Sequence, residues 1–152
     1  MTSRMTIAVL SLVGILIALY LTLYKIGIVG NLSCTVGSCE TVNTSRWATF
    51  LGLPVAAWGL AAYVALFALS LAGTSDRLAS SRRISWLLVA IAGWSVLFSA
   101  WLTYLELFVI RAICIWCVTS AVVLVAILVV SLVDLKGAKG AKGARGAELL
   151  SP

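Results

Sequence analysis

Long charge-free stretches alternate with short polar connections along this chain. Residues 5–24, 47–75, 84–105 and 112–133 contain no Asp, Glu, Lys or Arg. A helix needs about 20 apolar residues to cross about 30 Å of hydrocarbon. Each stretch therefore suffices for one crossing, and none for two. Backbone groups in lipid must be satisfied within the segment, which predicts helices. The second stretch is over-long, and Gly52 and Pro54 predict that its helix starts near residue 54, because proline suits a first helical turn. The pattern predicts an all-α membrane protein over residues 1–135. It is a four-transmembrane-helix bundle with a long outer loop between helices 1 and 2.

Composition points the same way. The chain is 62% hydrophobic and 11% charged, against about 45–50% and about 25% in soluble domains. A net charge of +6 invites a nucleic-acid reading, but the cations flank the spans instead. Arg4, Arg77, Arg82, Arg83, Lys136, Lys139, Lys142 and Arg145 fall on one side, and Lys25, Arg46 and Arg111 on the other. The positive-inside bias then places both termini in the cytoplasm and the connections at 25–52 and 107–113 outside. The first span reads as a retained anchor. Its apolar run exceeds the usual 7–15 residues of a signal peptide, and no Ala-x-Ala site follows. Within the tail, residues 136–152, the run from Lys136 to Arg145 repeats Lys-Gly-Ala with period three. Without proline this is a poor collagen candidate, and it reads as a disordered basic tail able to touch anionic lipid. Residues 43–50 mix polar and aromatic side chains and suit a short helix or turn at the interface.

The chain has four cysteines and no histidine. Without imidazole, the distinctive chemistry left is thiol–disulfide exchange. Cys34 and Cys39 lie in the outer loop with Gly37 between them, so that pair can close and move. Cys114 and Cys117 form Cys-Ile-Trp-Cys at the outer start of the last span. There the positive end of the helix dipole favours thiolate, the attacking form. Two pairs on one face read as a shuttle and a terminal pair. The rival readings are two static disulfides stapling a scaffold, and a four-cysteine zinc site. No glycine-rich nucleotide pattern and no haem motif offers an electron acceptor. The rim pair lies at the depth of a lipid-soluble quinone head group, among Trp47, Phe50, Trp101, Tyr104, Phe108 and Trp116. Most of these aromatics also fit an ordinary interfacial belt, whereas Trp116 lies inside the Cys-x-x-Cys motif. Glu106 and Arg111 sit near the outer ends of the third and fourth helices. Glu106 either pairs with Arg111, handles protons, or reaches water as an interface anchor.

These residues resemble the vitamin K epoxide reductase family, in its prokaryotic, disulfide-generating branch. The resemblance rests on the loop cysteine pair, Asn43-Thr44-Ser45-Arg46-Trp47, Gly52-Leu53-Pro54, Trp58-Gly59, Tyr104-Leu105-Glu106-Leu107-Phe108 and Cys114-Ile115-Trp116-Cys117, and covers residues 7–133. It implies a four-helix bundle around a quinone of ubiquinone, menaquinone or vitamin K type. It makes Cys114 and Cys117 the active-site pair, with Cys117 nearest the quinone, and Cys34 and Cys39 the shuttle pair. It implies a transient Cys39–Cys114 disulfide and leaves Cys34 to meet the partner, a separate thioredoxin-like periplasmic oxidase. Ser45 matches the hydroxyl residue that orders the loop or site, with a plain helix cap as the simpler reading. Ser45, Trp47, Phe50, Trp116 and Cys117 are the expected quinone contacts. Ala121 stands where vertebrate relatives have tyrosine, and the neighbourhood of Val55 is apolar where they have asparagine. A respiratory quinone therefore fits better than vitamin K epoxide, which stays as the alternative substrate.

Overall fold

The computed structural model describes residues 2–35, 37–75 and 81–148. Arg77, counted above among the inner cations, and residues 149–152 lie outside them. The elements are α1 (Thr2–Lys25), α2 (Cys39–Thr44), a 3-10 turn (Arg46–Ala48), β1 (Thr49–Phe50), β2 (Leu53–Pro54), α3 (Val55–Ala72), α4 (Arg82–Tyr104), a π-helical turn (Leu105–Ile110) and α5 (Ile115–Glu148). Four helical segments are long and apolar enough to cross a membrane: Ser3–Lys25, Val55–Ala72, Arg82–Ile110 and Ile115–Gly137. The protein is a multi-pass membrane helical bundle.

Local chemistry sets the boundaries. α1 ends where Gly27 takes φ +83°. Gly27 N–H donates to Tyr24 O at 3.0 Å and Ile28 N–H to Leu23 O at 3.0 Å. This pair of bonds closes the helix in a Schellman motif. α3 starts one residue after Pro54, as the proline predicts. Between them β1 and β2 pair antiparallel, Thr49 opposite Pro54 and Phe50 opposite Leu53. The two-residue turn, Leu51 and Gly52, has positive φ at both positions, the geometry that suits a tight hairpin's twist.

The core is built by Ile7 and Ala18 of α1, Tyr63 and Leu66 of α3, Ile84, Leu88 and Ala92 of α4, and Leu124 and Ile127 of α5. Small residues let the helices approach. A Cβ on Gly14 would overlap the Tyr63 ring, and Ser11, Ser70, Ser85 and Ser131 are fully buried. Large apolar side chains such as Leu16, Trp94, Leu97 and Val122 point outward, as expected where lipid is the solvent. α1 packs closely on α3 and α5, and α4 on α5, while the α3–α4 seam is the loosest of the major contacts. α5 runs on through Glu148, into the segment expected to be disordered. Ala, Lys and Arg are good helix formers, and the first proline after the span is Pro152. The helix therefore persists despite the glycines, each costing about 1 kcal/mol.

Candidate active site

Cys114 caps α5. It precedes the first helical residue, Ile115, and its Sγ accepts the Cys117 N–H at 3.4 Å, the bond an N-cap side chain makes. Cys114 is 0% exposed and Cys117 half-buried; both are free thiols. The Cys117 thiol turned toward Cys114 holds the Cys114 thiol below its ordinary range, helped by the N–H groups of Cys117 and Trp116. Burial and the Glu106 carboxylate oppose the shift.

Cys34 and Cys39 are joined as a disulfide, with Cys39 opening α2. Among the described residues one isolated antiparallel bridge, between Gly37 and Cys114, docks the loop on the rim, and beside it Ser38 N–H donates to Ile113 O at 2.9 Å. Gly37 has φ +91°, and a Cβ there would collide with Ile113 O. Cys39, Val42 and Cys114 form one buried cluster, flanked by Cys34, Trp116 and Cys117. All four sulfurs therefore gather at one end of the bundle.

Behind them, between α3 and α4, lies a mostly apolar cavity of about 760 Å³ whose wall includes Ser45, Trp47, Phe50, Glu106 and Cys117. Phe50 sets its ring edge-on to Trp58 and Phe98, with centroids 6.4 Å and 6.1 Å away. Trp47 carries the Arg46 guanidinium 5.0 Å above its ring. The Ser45 hydroxyl donates to Val42 O at 2.7 Å, so it closes the C-terminal end of α2. As the N-cap of the following 3-10 turn Ser45 makes no side-chain cap bond, and the residue also lines the cavity.

Trp116 departs from its expected quinone contact. It is not in the cavity wall. Its Nε1–H donates to Ser33 O at 2.9 Å, and its ring meets Tyr20 edge-on at 5.4 Å. The Tyr20 hydroxyl accepts the Ser33 N–H at 3.1 Å. Cys117 is one position on along the first turn of α5, a rotation of about 100°, so the motif's tryptophan and its second cysteine face different ways.

The inward placement of two residues is not readable from the sequence. Asn43, which opens the Asn-Thr-Ser-Arg-Trp run of the resemblance, is buried. Its Nδ2 donates to Cys39 O at 2.9 Å and lies 3.8 Å from Cys114 Sγ. One amide thus touches both cysteine pairs. Glu106 was weighed as an anchor reaching water, yet it is 4% exposed and its Oε2 accepts the Cys114 N–H at 3.2 Å. Among the described residues no ion pair joins it to Arg111. Its inward placement continues the spacing of Ala92 and Ser99 along α4 and is held by the π turn, where Arg111 and Ala112 N–H groups both reach Glu106 O. That seven-residue spacing was the available signal.

A disulfide and a dithiol gathered beside an apolar cavity in a four-span bundle define a membrane protein of the thiol oxidoreductase class. The chain belongs to the vitamin K epoxide reductase family, whose profile matches residues 5–132. That family comprises membrane oxidoreductases that exchange thiols and disulfides and use quinones.

Proposed function

We propose that this protein takes an electron pair from a thioredoxin-like oxidase and passes it through two cysteine pairs to a quinone, generating disulfides. The site faces the outside of the plasma membrane, with both termini cytoplasmic, in line with the distribution of Lys and Arg. The observation that carries the reading is the split environment of the rim pair. Cys114 packs with Cys39, while Cys117 opens on the cavity.

In this reading the reduced partner attacks Cys34 and frees Cys39 as a thiolate. Cys39 attacks Cys114 of the oxidised Cys114–Cys117 pair and frees Cys117. The second thiol of the oxidase then breaks the mixed disulfide at Cys34 as the oxidase closes its own disulfide, and the released Cys34 closes on Cys39, leaving Cys114 as a thiolate beside Cys117. The quinone supplies a two-electron, two-proton acceptor. Phe50, Trp47 and Ser45 hold its head group in the wall that also carries Cys117, and the apolar lining keeps water away. The open α3–α4 seam suits entry from the lipid. A head group of respiratory type is accommodated by an apolar wall with few polar groups.

The test is to reduce the protein in detergent with a thioredoxin-like protein and follow quinone absorbance. Wild-type protein turns over and Cys117→Ala does not. Cys34→Ala accumulates a Cys39–Cys114 disulfide, seen as a band shift on a non-reducing gel. A structural scaffold gives no turnover and no trapped bond.

A further inference from the structure

Glu106 is a buried acid in a membrane-spanning segment with no cation paired to it among the described residues. Such groups are costly in lipid and persist where they do chemistry. Its surroundings are specific. Oε2 accepts the backbone N–H of Cys114 at 3.2 Å, the Cys114 Sγ accepts the Cys117 N–H at 3.4 Å, and both Glu106 and Cys117 line the cavity. The π-helical turn holds it there, and such turns often mark functional positions. The other titratable groups around the cavity have different partners. Lys25, from α1, donates to Asn43 O at 2.6 Å, and the Tyr63 hydroxyl, from α3, is bonded to Ser120. In the loop, Cys34 and Cys39 are tied in their disulfide.

We infer that Glu106 is the proton carrier of the terminal step, taking the proton of the Cys117 thiol and delivering it to an oxygen of the quinone. The inference rests on the quinone-reducing reading above. Cys114 and Cys117 together give up two electrons as their S–S bond forms, and both electrons end on the quinone with two protons. Glu106 carries one of those protons from Cys117. Water supplies the other, in exchange for the one Cys114 has already released to it. The Cys114 N–H bond keeps the carboxylate aimed at the pair, so Glu106 acts on the reacting sulfur directly.

Glu106→Gln keeps an acceptor oxygen for the Cys114 N–H and removes the proton site, and Glu106→Asp keeps the acid on a shorter arm. The experiment uses purified full-length protein, dithiothreitol as reductant, and short-chain benzoquinone and naphthoquinone probes across pH. Glu106→Gln is expected to lose on the order of 100-fold in quinone reduction near neutral pH, and Glu106→Asp to retain more activity than Gln. A second readout needs no quinone. In a Cys117→Ala background, Glu106→Gln should let Cys114 react with iodoacetamide at lower pH, because a neighbouring negative charge opposes the thiolate. Unchanged turnover in Glu106→Gln, or an unmoved Cys114 alkylation profile, overturns the proton role. So does loss of the trapped Cys39–Cys114 bond in Glu106→Gln/Cys34→Ala, which would make Glu106 a structural support. Wild-type protein that reduces neither quinone overturns the functional reading itself, and this inference with it.

Discussion

Gly37 of the outer loop pairs backbone to backbone with Cys114 of the rim, and this one bridge brings the shuttle pair onto the terminal pair. Glycine is required there twice over. Its φ of +91° disfavours any side chain, and a Cβ would meet Ile113 O. Gly37→Ala should cost about 1–3 kcal/mol in the docked state, which lowers the docked-to-undocked ratio roughly 5- to 150-fold. The measurement is the yield of the Cys39–Cys114 bond in a Cys34→Ala background. An undiminished yield would mean that docking does not depend on the bridge.

Asn43 tunes the same meeting point. Its amide donor near Cys114 Sγ stabilises the thiolate, so removing it raises the thiol's titration point. Cys114 starts below the ordinary range, chiefly because the Cys117 thiol donates to it; its reaction with iodoacetamide should therefore set in below the pH typical of a free thiol, about 8.5. Asn43→Ala should move that onset upward. The loss of about 1 kcal/mol of hydrogen bonding corresponds to roughly fivefold less thiolate at a fixed pH below the midpoint. An onset that stays put or moves down in Asn43→Ala contradicts this.

Trp116 and Phe50 separate loop control from quinone contact. Trp116→Phe keeps a ring against Tyr20 but loses the bond to Ser33 O, loosening the segment beside Cys34 by about 1 kcal/mol. External dithiol should then reduce the Cys34–Cys39 disulfide several-fold faster, with the quinone KM unchanged. Phe50→Ala should do the reverse, raising the quinone KM on the order of tenfold as a wall ring is lost, with loop reduction unchanged. A raised quinone KM in Trp116→Phe would restore Trp116 as a cavity residue.

The spans were legible because lipid imposes length and charge rules that need no knowledge of packing. The start of α3 at Val55 followed from Pro54, and the position of Cys114 at a helix start followed from its place before an apolar run. The rest depended on which way a side chain turns. α3 is apolar on nearly every face, so its pattern does not say which side meets α1 and which lines the cavity. Trp116 and Cys117 are neighbours in sequence but serve different surfaces. Asn43 opens the Asn-Thr-Ser-Arg-Trp run, but nothing in that run says that its side chain turns inward, and Glu106 reads equally as a rim anchor because the π turn that buries it leaves no mark in composition. The tail, expected to be a disordered basic segment, continues the last span as helix through Glu148.

At the opposite end of the bundle, Arg4 ties all four spans together. Its Nε donates to Asp134 at 3.3 Å, Nη1 to Gly73 O and Nη2 to Ser85 Oγ at 3.3 Å. Ser85 Oγ in turn donates to Asp134 Oδ2 at 2.6 Å. Removing one partner of a buried pair leaves a charge uncompensated, which costs about 3–5 kcal/mol. Arg4→Met should therefore melt well below wild type in detergent, while Arg4→Met/Asp134→Leu should recover most of the loss, because a paired burial gains little over an apolar one. Quinone turnover per folded molecule should be unchanged in both, since the clamp lies at the end of the bundle remote from the cysteines. A double variant no more stable than Arg4→Met would show that the Gly73 and Ser85 bonds, rather than the charge pair, hold this end together.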